Sequence, residues 1–138
     1  VQFASDNAGP AHPQVLAALT EASGGYAMGY GADPVTEAVA ARLREIFEAP
    51  RSAVQLVTTG TAANALLLAA LSRPWESIFC TPESHIAQDE CNAVEAATGG
   101  ASLAPVPAVD GKMVPEALLD VLQGKGGAVH RPQRGPLT

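Results

Sequence analysis

Apolar and polar positions alternate along this chain in two different rhythms. After Pro13, which suits a first helical turn, Val15, Leu16 and Leu19 fall on one helical face, and Gly24-Gly25 stops that helix. Tyr26 to Pro34 breaks the rhythm. It is too polar and too rich in glycine for a core segment and is expected to be a functional loop. Val35, Val39, Leu43, Ile46 and Phe47 then return at helical spacing, ended by Pro50.

From Ala53 the pattern changes to short continuous apolar runs separated by helical stretches. Ala53–Thr58, Ser77–Thr81 and Ser102–Val106 are predicted as buried strands, and Ala128-Val129 as the start of a fourth. Between them, Thr61–Leu71, His85–Ala97 (closed by Gly99-Gly100) and Pro115–Leu122 are predicted as helices. Strand alternating with helix implies right-handed crossovers and an α/β fold with a mostly parallel sheet flanked by helices. The division expected is 1–52, helices and loop, and 53–138, the sheet-bearing part. His130 to Thr138, with two prolines, two arginines and a glycine, is not expected to close a domain. The chain is therefore expected to be part of a longer protein.

Composition narrows the function classes. A length of 138 residues suits one domain or part of one, and 47% hydrophobic content suits a globular core. Aromatics are only 4%, so Leu, Val and Ala must fill that core. The net charge of −6, without a block of like charges, offers nothing to nucleic acid or an anionic membrane surface. The longest apolar run, Ala62 to Leu71, is interrupted by Asn64 and falls well short of the roughly 20 residues of a membrane span. Val1 to Asn7 has neither the positive cluster nor the apolar core of a signal peptide. Cys80 and Cys91 form no metal motif and no disulfide framework, so a cytoplasmic location and no metal are expected.

Four segments carry candidate chemistry. The first is Thr58-Thr59-Gly60-Thr61-Ala62-Ala63-Asn64, placed where a strand turns into a helix. The first N–H groups of a helix lack internal partners and carry a partial positive charge, which suits a phosphate. Gly60 gives access. The N–H groups of Thr61 and Ala62 and the hydroxyls of Thr59 and Thr61 are the expected donors. A tight turn with Thr61 as helix N-cap explains the same residues equally well. Neither GxxxxGK[ST] nor a strand followed by GxGxxG is present.

The second is His85, after the next strand and so on the same sheet edge as Gly60, the carboxyl edge where open α/β sheets bind ligands. An imidazole there can stack on a flat ring or move a proton near neutral pH. Taken alone, a histidine that merely starts a helix is the commoner case. Glu90 can hydrogen-bond His85 and fix its tautomer, or be a solvated helix glutamate. The third segment is Phe3-Ala4-Ser5-Asp6-Asn7, and the fourth is Gly29-Tyr30-Gly31-Ala32-Asp33-Pro34. A flexible end and an ordinary loop are the plain alternatives for these two.

In this order, FASDN, GYGADPVTE, GTAANALLLAAL, SIFC and HIAQDEC together resemble the low-specificity L-threonine aldolases, pyridoxal-phosphate-dependent β-eliminating lyases of fold type I. The resemblance covers nearly all of this chain and only the N-terminal part of such an enzyme. It implies that residues 53–138 are the beginning of the large cofactor-binding domain. It implies that Gly60 and Thr61, beside the donors Thr59 and Ala62 named above, hold the cofactor phosphate and that His85 stacks on the pyridine ring and is the candidate base. Ser5 would bind the substrate carboxylate, and Tyr30 would line the substrate pocket across a subunit interface. The implied substrate is a β-hydroxy-α-amino acid, cleaved between Cα and Cβ to glycine and acetaldehyde by a homo-oligomer, dimer or tetramer. The family's cofactor-bearing lysine, ring-nitrogen aspartate and nearby arginine are expected beyond residue 138, since Lys112 and Lys125 match none of them and look like solvated loop lysines. Ala32 departs from the family's usual acidic residue. Asn92, Val94 and Ala96 stand where glycine, proline and an aromatic are usual. Another β-eliminating lyase of the same fold, such as one acting on tyrosine or tryptophan, and a non-catalytic phosphate-ligand domain are the alternatives.

Overall fold

A computed structural model describes Ser5 and residues 8–138. The chain divides into two compact units, Val1–Gln55 and Leu56–Thr138.

The first unit holds two helices made by local chemistry. Helix α1 (Pro13–Ala22) starts on Pro13, and the His12 ring accepts the Gln14 N–H at 3.2 Å. Helix α2 (Pro34–Ile46) starts on Pro34 behind Asp33, whose carboxylate accepts the Thr36 N–H at 2.8 Å and the Thr36 hydroxyl at 2.6 Å. Proline costs nothing at a first helical position, where its missing N–H would have no partner. Both helices lie where the apolar spacing predicts them, but neither buries a residue. The loop between them is exposed at both tyrosines.

The second unit is a three-layer α/β fold. Its order is α3 (Gly60–Leu71), β1 (Glu76–Cys80), α4 (His85–Gln88), α5 (Ala93–Thr98) and β2 (Ser102–Pro105). Then come a β3–β4 hairpin (Ala108–Val109, Lys112–Met113), α6 (Pro115–Gln123) and β5 (Gln133–Leu137). The main sheet runs β2-β1-β5, all parallel. β1 lies at its centre, and Ser77 to Cys80 are buried. Such a strand packs on both faces and so reads as a continuous apolar run, not an alternating one. On one face Ile78 and Cys80 pack with Leu68 of α3, Ile86 of α4 and Val94 of α5. On the other, Phe79 and Ala104 pack with Leu118, Val121 and Leu122 of α6. Among the described residues no helix is long and apolar enough to cross a membrane.

Three expectations fail here. Ala53–Thr58 is not a strand. A strand exists only where a neighbour takes its hydrogen bonds, and this segment pairs in neither sheet. His85–Ala97 is not one helix. It breaks after Gln88, with Cys91 and Asn92 in left-handed conformation, φ 49° and 59°. Ala128-Val129 starts no strand. The turn through Gly126 and Gly127 carries Val129 fully into solvent, and the pairing strand begins at Gln133. The segment 130–138 therefore supplies a strand of the sheet. Pro136 is tolerated because β5 is an edge strand among the described residues. Gly135 is required: a Cβ there would stand 2.8 Å from the Ser77 carbonyl oxygen.

Candidate functional site

All three strands of the sheet are parallel, so their carboxyl ends, Cys80, Pro105 and Leu137, share one edge. α3 runs back toward the start of β1, which puts its N-terminus at that edge. His85 follows β1 at the same edge.

At the start of α3 the N-cap is Thr59, not Thr61. Its hydroxyl accepts the Ala62 N–H at 3.1 Å, and its carbonyl accepts the Ala63 N–H at 3.1 Å. Of the donors expected for a phosphate, the Ala62 N–H is thus already engaged. The Thr61 N–H and the hydroxyls of Thr59 and Thr61 remain, since Thr59 accepts there and keeps its own hydrogen to donate, and the Gly60 N–H stands beside them. They stand at the positive end of a 12-residue helix. Gly60 is exposed, and a Cβ on it would meet nothing within 4 Å, so the turn has open space before it.

The second element is a side-chain network. The Glu90 side chain is fully buried, while that of His85 is 62% exposed. Glu90 Oε1 lies 2.8 Å from His85 Nδ1 and accepts a 2.6 Å hydrogen bond from Asn64 Nδ2. Asn64 sits in the second turn of α3, so the network ties the candidate phosphate turn to the candidate ring-stacking histidine. The break after Gln88 makes this bond geometrically available. In a continuous helix, positions 85 and 90 would point about 140° apart and could not meet. Of the two alternatives for Glu90, the solvated helix glutamate is therefore excluded. The sequence reading missed Asn64. Its one signal was a polar residue interrupting the apolar run of α3.

Two of the departures from the family pattern, Asn92 and Val94, have local explanations. Asn92 stands in the left-handed region, φ 59°, where a glycine is the usual occupant and asparagine the best-tolerated substitute. Val94 is fully buried in the core beside β1. Cys80 is buried, and that burial pushes its thiol above the ordinary range. This makes it a packing residue, not a nucleophile. Among the described residues no three His, Cys, Asp or Glu side chains gather as a metal site.

The remaining candidates lie in the first unit. Ser5 is exposed, and its carbonyl accepts the Ala8 N–H at 3.2 Å. Phe3, Ala4, Asp6 and Asn7 lie outside the described residues. Tyr30 is fully exposed with φ 62°, an uncommon conformation for a non-glycine residue. Of the lysines, Lys112 is exposed in β4. Lys125 is half-buried in the turn after α6, more enclosed than the solvated lysine expected there.

Comparison with known proteins gives these positions a context. The profile described as beta-eliminating lyase matches residues 2–137. A low-specificity L-threonine aldolase from Pseudomonas aeruginosa is 36% identical over 137 residues, 99% of this chain and 39% of the relative. Another, from a Pseudomonas species, is 34% identical over the same span. The chain thus spans about two fifths of the length of these curated relatives. A solved threonine aldolase from Leishmania major superposes with a TM-score of 0.80 at 27% identity, over 91% of this chain and 35% of that one. With a family match running almost end to end and the same α/β architecture beneath it, this chain belongs to the beta-eliminating lyases, a family of pyridoxal-phosphate-dependent enzymes.

Proposed function

We propose that this chain supplies the phosphate turn and the ring-stacking histidine of an aldehyde lyase that cleaves L-threonine and L-allo-threonine to glycine and acetaldehyde. One observation carries the reading: the hydrogen-bonded path from Asn64 through Glu90 to His85, which joins the start of α3 to the histidine. The residues fit pyridoxal phosphate. The N–H groups of Gly60 and Thr61 and the hydroxyls of Thr59 and Thr61 hold the phosphate, Thr59 also capping α3. The exposed face of the His85 ring stacks on the pyridine, while Nδ1 is held from behind by Glu90. Bound there, the cofactor supplies the sink for the electron pair left on Cα when the Cα–Cβ bond breaks. His85 Nε2, the ring nitrogen that Glu90 leaves open, takes the β-hydroxyl proton through a water. Ser5 binds the substrate carboxylate.

The same reading assigns residues 1–52 to the N-terminal helices and substrate loop, and 53–138 to the first part of the cofactor-binding domain. It makes the protein a cytoplasmic homo-oligomer whose Tyr30 loop meets a neighbouring subunit. Full exposure of Tyr26 and Tyr30 supports the subunit contact, and two free cysteines support a reducing compartment.

The experiment is cofactor binding to the full-length protein, read by the visible absorbance of bound pyridoxal phosphate, alongside acetaldehyde release from L-threonine. Thr61→Val is expected to weaken cofactor binding about tenfold by removing one charge-assisted hydrogen bond. Unchanged affinity in that variant counts decisively against the phosphate assignment. A fully active monomer in sedimentation refutes the oligomer.

A further inference from the structure

Glu90 is an expensive residue to keep where it stands. Its side chain is fully buried, and its second oxygen, Oε2, is buried with no hydrogen-bond partner among the described residues. The backbone beside it is also costly. Cys91 and Asn92, the two non-glycine residues that follow Glu90, both take the left-handed conformation between α4 and α5. Packing alone does not explain this, because an apolar side chain would fill the space without an orphaned oxygen. Strain and unsatisfied polar groups persist where the surrounding structure holds them for a purpose.

The hydrogen bonding indicates that purpose. Oε1 accepts the Asn64 amide N–H at 2.6 Å and lies 2.8 Å from His85 Nδ1. Where Oε1, which already accepts from Asn64, accepts from the ring as well, Nδ1 carries the hydrogen. The other nitrogen of a neutral imidazole is then an acceptor with its lone pair open. We propose that Glu90 and Asn64 are positioning residues. Together they hold His85 in the Nδ1–H tautomer, with Nε2 as the open base, and fix its ring relative to the N-terminus of α3. Glu90 acts directly on the ring. Asn64 acts through Glu90 and carries the register of the phosphate helix to it. This deepens the functional proposal above and rests on it for what the tautomer serves; the tautomer itself does not depend on it.

The test reads the ring, not only turnover. The full-length protein, labelled with ¹⁵N-histidine and without cofactor, is examined by long-range ¹H–¹⁵N correlation at a pH above the ordinary titration range of histidine. His85→Gln assigns the signal. The expected result is the Nδ1–H form in the wild type, its retention in Glu90→Gln, whose amide oxygen still accepts both bonds, and its loss in Glu90→Leu. In the cofactor-binding assay Glu90→Leu is expected to weaken pyridoxal phosphate about tenfold, with Glu90→Gln restoring most of it. The Nε2–H form, a mixture, or an imidazolium in the wild type overturns the proposal. So does an unchanged tautomer in Glu90→Leu, or no rescue by Glu90→Gln. The wild-type spectrum decides even if Glu90→Leu does not fold. A protein with the expected tautomer that binds no pyridoxal phosphate sinks the functional reading and leaves the role of Glu90 standing.

Discussion

The two units of this chain hold their structure by different means. In the first, α1 and α2 carry apolar stripes at helical spacing, yet Val15, Leu16 and Leu19 are 52–59% exposed and no residue of either helix is buried. These helices rest on caps, N-terminal prolines and a surface Arg42–Glu45 pair. In the second, β1 shows no periodicity at all, and Ile78, Phe79 and Cys80 are at most 1% exposed, packed from both sides by helices of the same unit. Periodicity therefore marks which face of a helix seeks burial, and burial itself depends on a partner being there.

The sharpest way to break that contrast is to truncate one apolar residue in each unit. Phe79→Ala empties a site packed by α6 and is expected to cost about 3–5 kcal/mol, read from the urea midpoint. Leu16→Ala, on the open face of α1, is expected to cost no more than about 0.5 kcal/mol. Equal costs would mean that the α1 face is covered in solution and that the contrast is wrong.

A smaller effect separates two glycines of the second unit. Gly135→Ala forces a Cβ against the Ser77 carbonyl and is expected to destabilise the β1–β5 pairing by about 1–3 kcal/mol. Gly60→Ala meets nothing within 4 Å and is expected to leave thermal stability unchanged or slightly raised, because alanine is the better helix former. Its effect should appear only in cofactor binding, which the added methyl weakens by standing before the phosphate. If Gly60→Ala binds pyridoxal phosphate as the parent does, close backbone approach at that turn is not part of the site.

How much of this was legible in the sequence follows the same division. α1, α2, α3 and α6 announce themselves by spacing, prolines and glycines, and β1 and β2 by compact apolar runs. Those are local signals, and they survive into the structure. What failed was non-local. Ala53–Thr58 has the composition of a strand and no strand beside it. Gln133–Leu137 has a glycine and a proline, poor strand formers, yet pairs because an edge position forgives the proline and the close approach demands the glycine. For the candidate site, the sequence offered a strand-turn-helix motif at Thr59 to Thr61, of which the structure keeps the turn and the helix but not the strand, and a histidine after β1 at the matching edge. Asn64 was not legible, because its role depends on Glu90, and Glu90 reaches it only through the helix break after Gln88, just ahead of the left-handed Cys91 and Asn92. No periodicity encodes that break, although Asn92, a residue that tolerates the conformation, is its one trace.

The smallest expected effect concerns what holds α2 in place of a core. The Thr36 hydroxyl, and after it the Thr36 N–H, hold the Asp33 carboxyl below its ordinary value of 3.8. A group whose folded value is depressed binds fewer protons in the folded state than in the unfolded one. Its contribution is thus complete above the unfolded value and is lost as the pH falls through the lower folded one. The start of α2 should accordingly loosen on acidification from about pH 4 downward, seen as loss of hydrogen-exchange protection at the Val35 to Glu37 amides. Asp33→Asn keeps an oxygen that accepts the Thr36 N–H but cannot titrate, so the acid dependence should vanish while the cap persists near neutral pH. The core of the second unit supplies the internal control, since Ile78 and Phe79 rest on packing that no nearby proton removes. Acid loosening of α2 that persists in Asp33→Asn would show that something other than this cap holds the helix, and would remove the ground for separating a capped unit from a packed one.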